Sequence, residues 1–133
     1  MRVITTNDGD HRNILTYKSP AVHASGSKPE FETDVTDADT MRAILRNLGY
    51  IELIAFTKHC RNYRFTQAGY ATLATLVRVP ELDDTFIEVE TTVPDSDIDD
   101  AIKAVRAFLE TLGITADDLT TEQYTDAVRQ RRQ

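Results

Sequence analysis

Residues 30–39 read EFETDVTDAD and residues 88–97 read EVETTVPDSD; both fit Glu-x-Glu-Thr-x-Val-x-Asp-x-Asp. Each copy leads into a segment ending Leu-x-x-Leu-Gly, at Leu45–Gly49 and Leu109–Gly113. Upstream, Thr6, Gly9, Lys18 and Pro20 match Thr66, Gly69, Arg78 and Pro80 at a spacing of 60. Any one match is weak, but their shared order marks an internal repeat. The strand pair expected over 52–79 is preceded by a Glu-x-Glu strand and a helix. The equivalent pair at 2–18 has no such prelude. The repeat therefore predicts one domain over 1–133, built like a symmetrical barrel that lacks its N-terminal strand-helix unit.

The repeated acidic strands alternate. In FIEVET, Phe86, Glu88 and Glu90 share one face while Ile87, Val89 and Thr91 share the other; in EFET, Glu30 and Glu32 oppose Phe31 and Thr33. Successive strand residues point to opposite faces, so each strand has one charged and one more apolar side. Two architectures do this. An open sheet turns its charges to water, the commoner case, and a closed barrel packs its apolar face against helices while charges line the lumen. Both stay open at this point.

Basic residues bear on that choice. ILTYKSP at 14–20 closes a β-forming run with Lys18. A lysine at a strand end is either an edge-strand guard against aggregation or a cation aimed at an anion. Lys28, Lys58, Arg61, Arg64 and Arg78 also lie on or beside expected strands. Glu-x-Glu carboxylates suit Mg²⁺ or Mn²⁺, hard cations that take oxygen ligands and phosphate partners. Cations for phosphate oxygens and carboxylates for a bridging metal are the minimum set for handling a polyphosphate. Each residue alone is as well explained as a solvated charge. No glycine-rich phosphate loop is present.

Composition limits the alternatives. The 133 residues carry a formal charge of −7 and a pI near 4.9, which argues against nonspecific nucleic-acid binding. With 41% hydrophobic and 28% charged residues, the chain has the profile of a globular protein. No apolar run reaches membrane-spanning length and no signal-peptide pattern opens the chain. The single Cys60 excludes an internal disulfide and suits a reducing cytoplasm. His11, His23 and His59 lack metal-ligand spacing, and His59 cannot activate the adjacent Cys60 because strand neighbours face apart.

Six strands are expected, over 2–6, 12–18, 30–35, 52–65, 70–79 and 85–93, with a hairpin turn at Asn7-Asp8-Gly9-Asp10 and another turn at Gly69. Three helices follow from capping signals and apolar stripes. Thr36 and Asp39 open the first, which ends at Gly49; Ser96 and Asp99 open the second, which ends at Gly113; Thr120 and Gln123 open a short third. The RQRR at 129–132 reads as a helix C-terminus or frayed tail.

Taken together, Arg2 in MRVITT, ILTYKSP, KPEFET, KHCRNY at 58–63, TLVRVP at 75–80, FIEVET and the C-terminal TTEQY resemble the CYTH superfamily, and most closely its class IV adenylate cyclase branch; thiamine triphosphatases are also members. The resemblance implies an α+β fold, an antiparallel β-barrel or triphosphate tunnel with helices packed outside, here incomplete. It implies that Arg2, Lys18, Lys58 and Arg61 are triphosphate ligands, with Lys28 and Arg78 beside them, and that Glu88, Glu90, Glu30 and Glu32 bind metal, Mg²⁺ or Mn²⁺. Lys28 stands where the family usually has arginine, keeping the charge without the bidentate fork. The N-terminal Glu-x-Glu-x-Lys signature has no counterpart, Ile4 stands where a second arginine is expected, and Val77 where a metal-associated aspartate is usual. The resemblance thus implies a cytoplasmic protein acting on or binding ATP or another triphosphate. Cyclase, triphosphatase and an impaired domain serving only as an anion-binding or interaction module remain alternatives. An incomplete barrel leaves unpaired strand edges, which predicts self-association.

Overall fold

The computed structural model describes residues 1–20 and 29–133, with only the backbone of Asp95. Two compact units are present, Met1–Leu53 and Ile54–Gln133. The first contains β1 (Arg2–Thr5), β2 (His11–Lys18), β3 (Glu30–Asp34) and α1 (Ala38–Asn47). The second contains β4 (His59–Gln67), β5 (Tyr70–Arg78), β6 (Thr85–Thr91), α2 (Ile98–Thr111) and α3 (Tyr124–Arg131). The strands pair antiparallel as two sheets of three, in the orders β1-β2-β3 and β4-β5-β6. The α+β class agrees with expectation. The closed barrel does not appear: among the described residues no strand ladder joins one sheet to the other.

Turn chemistry explains the hairpins. Gln67 pairs with Tyr70, leaving Ala68 and Gly69 as a two-residue loop with φ of 50° and 88°. Two successive positive φ values match the twist of the flanking strands, and glycine enters that region without a Cβ penalty. The long strand expected over 52–65 begins only at His59 and runs on to Gln67. The β4–β5 register would set Thr57 opposite Pro80, which has no N–H for the ladder. Ile54 and Phe56 instead pack against the buried core of Val77, Val79 and Val128, together with Leu82, Phe86 and Tyr124.

The caps also differ from expectation. Asp37, not Thr36, caps α1, its carboxylate accepting from Thr40 N at 2.8 Å. Asp97 precedes α2 without a side-chain cap, and Ser96 donates to Asp97 instead. Gln123 precedes α3 without one, and the capping box lies upstream at Thr115 and Asp118. The RQRR segment is anchored: Arg132 donates to Glu81 at 2.6 Å and to the Ala55 carbonyl at 3.0 Å, and Arg131 pairs with Asp83. Among the described residues no helix is long and apolar enough to cross a membrane.

Candidate functional site: two faces of paired charge

The first unit carries its charges on one side of its sheet. Arg2 pairs with Ile14, Thr16 with Glu32 and Lys18 with Glu30, and cross-strand partners share a face. Arg2, Arg12, Thr16, Lys18, Glu30, Glu32 and Asp34 therefore lie together. Lys18 Nζ meets Glu30 Oε1 at 2.5 Å and Arg12 Nε meets Asp34 Oδ1 at 2.6 Å. Arg2 is ion-paired to Glu32, whose same Oε1 accepts from the Thr16 hydroxyl at 2.9 Å. The Arg12 hydrogen bond draws the Asp34 carboxyl below its ordinary range. The cations and carboxylates of this face thus neutralise one another in pairs.

The opposite face carries Thr5, His11, Asn13 and Thr33 and, at one end, an open apolar patch. Tyr17 and Phe31 stand with ring centroids 6.3 Å apart and exposures of 63% and 65%. As the alternation predicted, Phe31 is out of phase with Glu30 and Glu32.

The second unit has a charged face of different composition. Thr75 pairs with Glu88, Leu73 with Glu90 and with Arg64, and Asn62 with Thr75. Asn62, Arg64, Thr75, Glu88 and Glu90 consequently share one side. Buried Thr75 donates its hydroxyl to Asn62 Oδ1 at 3.0 Å. Lys58, just before β4, reaches Glu88 Oε1 at 2.7 Å and lies 4.3 Å from the centroid of the Tyr124 ring, a cation–π contact. The Tyr124 hydroxyl donates to Glu88; burial first, and then that bond, push its pKa up.

Arg61 and Arg78 do not join this cluster. Their register puts them with Phe65 and Ile87 on the reverse face, against which Phe108 of α2 packs with its ring 4.8 Å from that of Phe65. Arg64 is the strand arginine that shares a face with Glu88 and Glu90. Counting in twos from Lys58 through Cys60 and Asn62 reaches it, a signal available in the sequence. Tyr124 was legible as part of the short third helix and as the end of TTEQY, but not as a neighbour of Lys58. Val77 lies on the Glu88 face, one pair along from Thr75, but is 0% exposed beneath α3. Lys28 lies outside the described residues.

Residues 1–124 match the CYTH domain. The chain belongs to the CYTH family. Among solved structures, the PH1819 protein of Pyrococcus horikoshii OT3 is similar, with a TM-score of 0.78 and 25% identity over 94% of this chain and 69% of that one. A conserved hypothetical protein of Pyrococcus furiosus shares the fold, with a TM-score of 0.67 and 16% identity over 93% of this chain and 71% of that one. No curated protein matches the sequence.

A divalent metal is the group that CYTH membership implies. Among the described residues no three His, Cys, Asp or Glu side chains converge as a ligand group. Glu30 with Glu32, and Glu88 with Glu90, each provide two carboxylates on one strand face. That donor set does not form a protein-only cage. It fits a Mg²⁺-type ion, which is commonly held by one or two carboxylates and completed by phosphate oxygens and water.

Proposed function

We propose that this CYTH protein binds a triphosphate-bearing molecule, ATP or another triphosphate, through its charged strand faces and together with Mg²⁺ or Mn²⁺. The observation that carries the reading is the first unit's face, where Arg2 and Lys18 stand among Glu30, Glu32 and the Thr16 hydroxyl. Guanidinium and ammonium groups form short charge-assisted bonds to phosphate oxygens. On the second unit Lys58 supplies a cation to that unit's own charged face, beside Glu88. Within each unit its own carboxylates, Glu30 and Glu32 in the first and Glu88 and Glu90 in the second, would hold a metal, which would neutralise and orient the phosphates. By resemblance the chain is of the class IV adenylate cyclase branch.

Binding without efficient turnover is the form of this reading that one residue favours. Val77 sits in dry core at the place where the family resemblance expects an aspartate. A missing preorganised group typically costs about a hundredfold or more in rate. Calorimetric titration with tripolyphosphate and with ATP in Mn²⁺ buffer should detect binding, and Lys18→Ala should weaken it several-fold. Assays for phosphate release and cyclic nucleotide should stay near background. Unchanged binding in Lys18→Ala would remove the lysine from the site; robust turnover would overturn the deficit assigned to Val77.

A further inference from the structure

The ion pairs on the first sheet bear on how an anion gains access to the cations. Resting on the polyphosphate reading, we infer that Glu30 and Glu32 act as built-in competitors of the anion, so that they oppose its binding without metal and support it with metal.

The geometry is specific. Arg2 and the Thr16 hydroxyl both donate to Glu32 Oε1, and Lys18 donates to Glu30 Oε1. An anionic oxygen accepting from a guanidinium and a hydroxyl is the environment a phosphate oxygen would seek on this face. Glu32 already fills it. An incoming polyphosphate must break both pairs and leave two carboxylates beside its own charge. Such exposed pairs are individually weak, so the competitor is displaceable. A divalent ion changes the balance, because the carboxylates released from Arg2 and Lys18 become its ligands alongside the phosphate oxygens. Metal and anion therefore assist each other, and that coupling is reciprocal. Neither partner alone gains what the two gain together.

The consequence is a reversal of sign on removing a carboxylate charge. In chelator-treated buffer, Glu30→Gln and Glu32→Gln should each tighten tripolyphosphate binding, by up to about fivefold, the factor for an exposed ion pair. With the Mn²⁺ complex of tripolyphosphate as titrant, the same variants should bind more weakly than the parent protein. Glu110→Gln, on the exposed surface of α2, removes one negative charge elsewhere and should change neither titration appreciably. Circular dichroism melts of the variants should match the parent protein's, since the substituted side chains are exposed. If the parent and Lys18→Ala proteins behave as a binding face requires but Glu30→Gln and Glu32→Gln weaken or do not alter metal-free binding, the competitor inference fails while the polyphosphate reading stands. If Glu110→Gln tightens metal-free binding equally, the effect is net charge and the inference again fails. No binding by parent or variants in either buffer overturns the polyphosphate reading and this inference with it.

Discussion

Helix α1 follows β3 in the first unit and α2 follows β6 in the second, and both end in the same way. Gly49 and Tyr50 donate back to Arg46 and Leu45, and Gly113 and Ile114 to Glu110 and Leu109, each glycine at a φ of 80–91°. This double hydrogen bond is the Schellman arrangement, which glycine accommodates. Yet α1 buries no residue, while α2 buries Ala101 and sets Phe108 on Phe65. The repeat places Tyr17 in register with Val77, and one is 63% exposed, the other 0%. Similar local sequence therefore produces similar elements, and packing does not follow automatically.

Sheet register explains much of the difference. Lys18 stands opposite Glu30, whereas Thr75, not the repeat-related Arg78, stands opposite Glu88. The displacement is three residues, and an odd displacement moves every side chain of a strand to the other face. Lys18 thus joins the acidic pair of its sheet and Arg78 is turned away from its own. Tyr17 is turned from the charges, and Val77 lies among them and under α3.

The largest contrast should come from a charge at these matched positions. Val77→Asp introduces the side chain that the family resemblance expects, but at a fully buried position packed by Val79, Val128 and Phe86. An unpartnered buried polar group costs about 3 kcal/mol or more, so urea denaturation should show severe destabilisation. Tyr17→Asp, on an open face, should stay within about 0.5 kcal/mol of the parent. Comparable losses at the two positions would break the asymmetry between the units.

A smaller contrast separates the helices. Phe108 in α2 corresponds to Ile44 in α1, and Ile44 is 47% exposed. Phe108→Ala should cost about 2 kcal/mol, below the 3–5 of a fully buried phenylalanine because this one is half-buried. Ile44→Ala should cost less than about 0.5 kcal/mol, since little packing is lost and alanine favours helix. Thermal melts of the two variants side by side measure this.

The repeat and the alternating strands made the element order legible, because period two and capping signals are local. The start of the strand expected over 52–65 was not, since it depends on Pro80 standing across from Thr57. The faces of Arg61 and Arg78 were also hidden. Parity within β4 and β5 was readable, but which parity faced Glu88 is set by pairing register, a relation between strands. Arg2, Lys18, Glu30 and Glu32 were grouped by resemblance, and the sheet brings them onto one face. Asp37 rather than Thr36 as the cap is a one-residue difference, decided by which side-chain oxygen reaches the Thr40 amide.

The smallest expected effect concerns Tyr124, where the second unit secures its cation as the first does not. Among the described residues Lys18 is held by one carboxylate, whereas Lys58 has Glu88 and the Tyr124 ring. The phenol is surrounded by Phe56 and Phe86, by the Glu88 carboxylate to which it donates, and by Lys58 and Cys60. Burial and the Glu88 bond favour its neutral form, so its folded pKa lies above the ordinary 10.0. A raised folded pKa means that the unfolded chain releases this proton first. Its contribution is then complete below about pH 10 and declines as pH rises beyond it. Tyr124→Phe keeps the ring over Lys58 and removes both the titrating hydroxyl and its bond. Urea midpoints followed from pH 8 to pH 11 should fall with rising pH in the parent protein, and less steeply in Tyr124→Phe. At pH 8 the variant should lose no more than about 1 kcal/mol, the usual net value of one hydrogen bond. Parallel curves would mean that the phenol does not titrate differently in the two states, and that the ring alone accounts for the hold of α3 on Lys58.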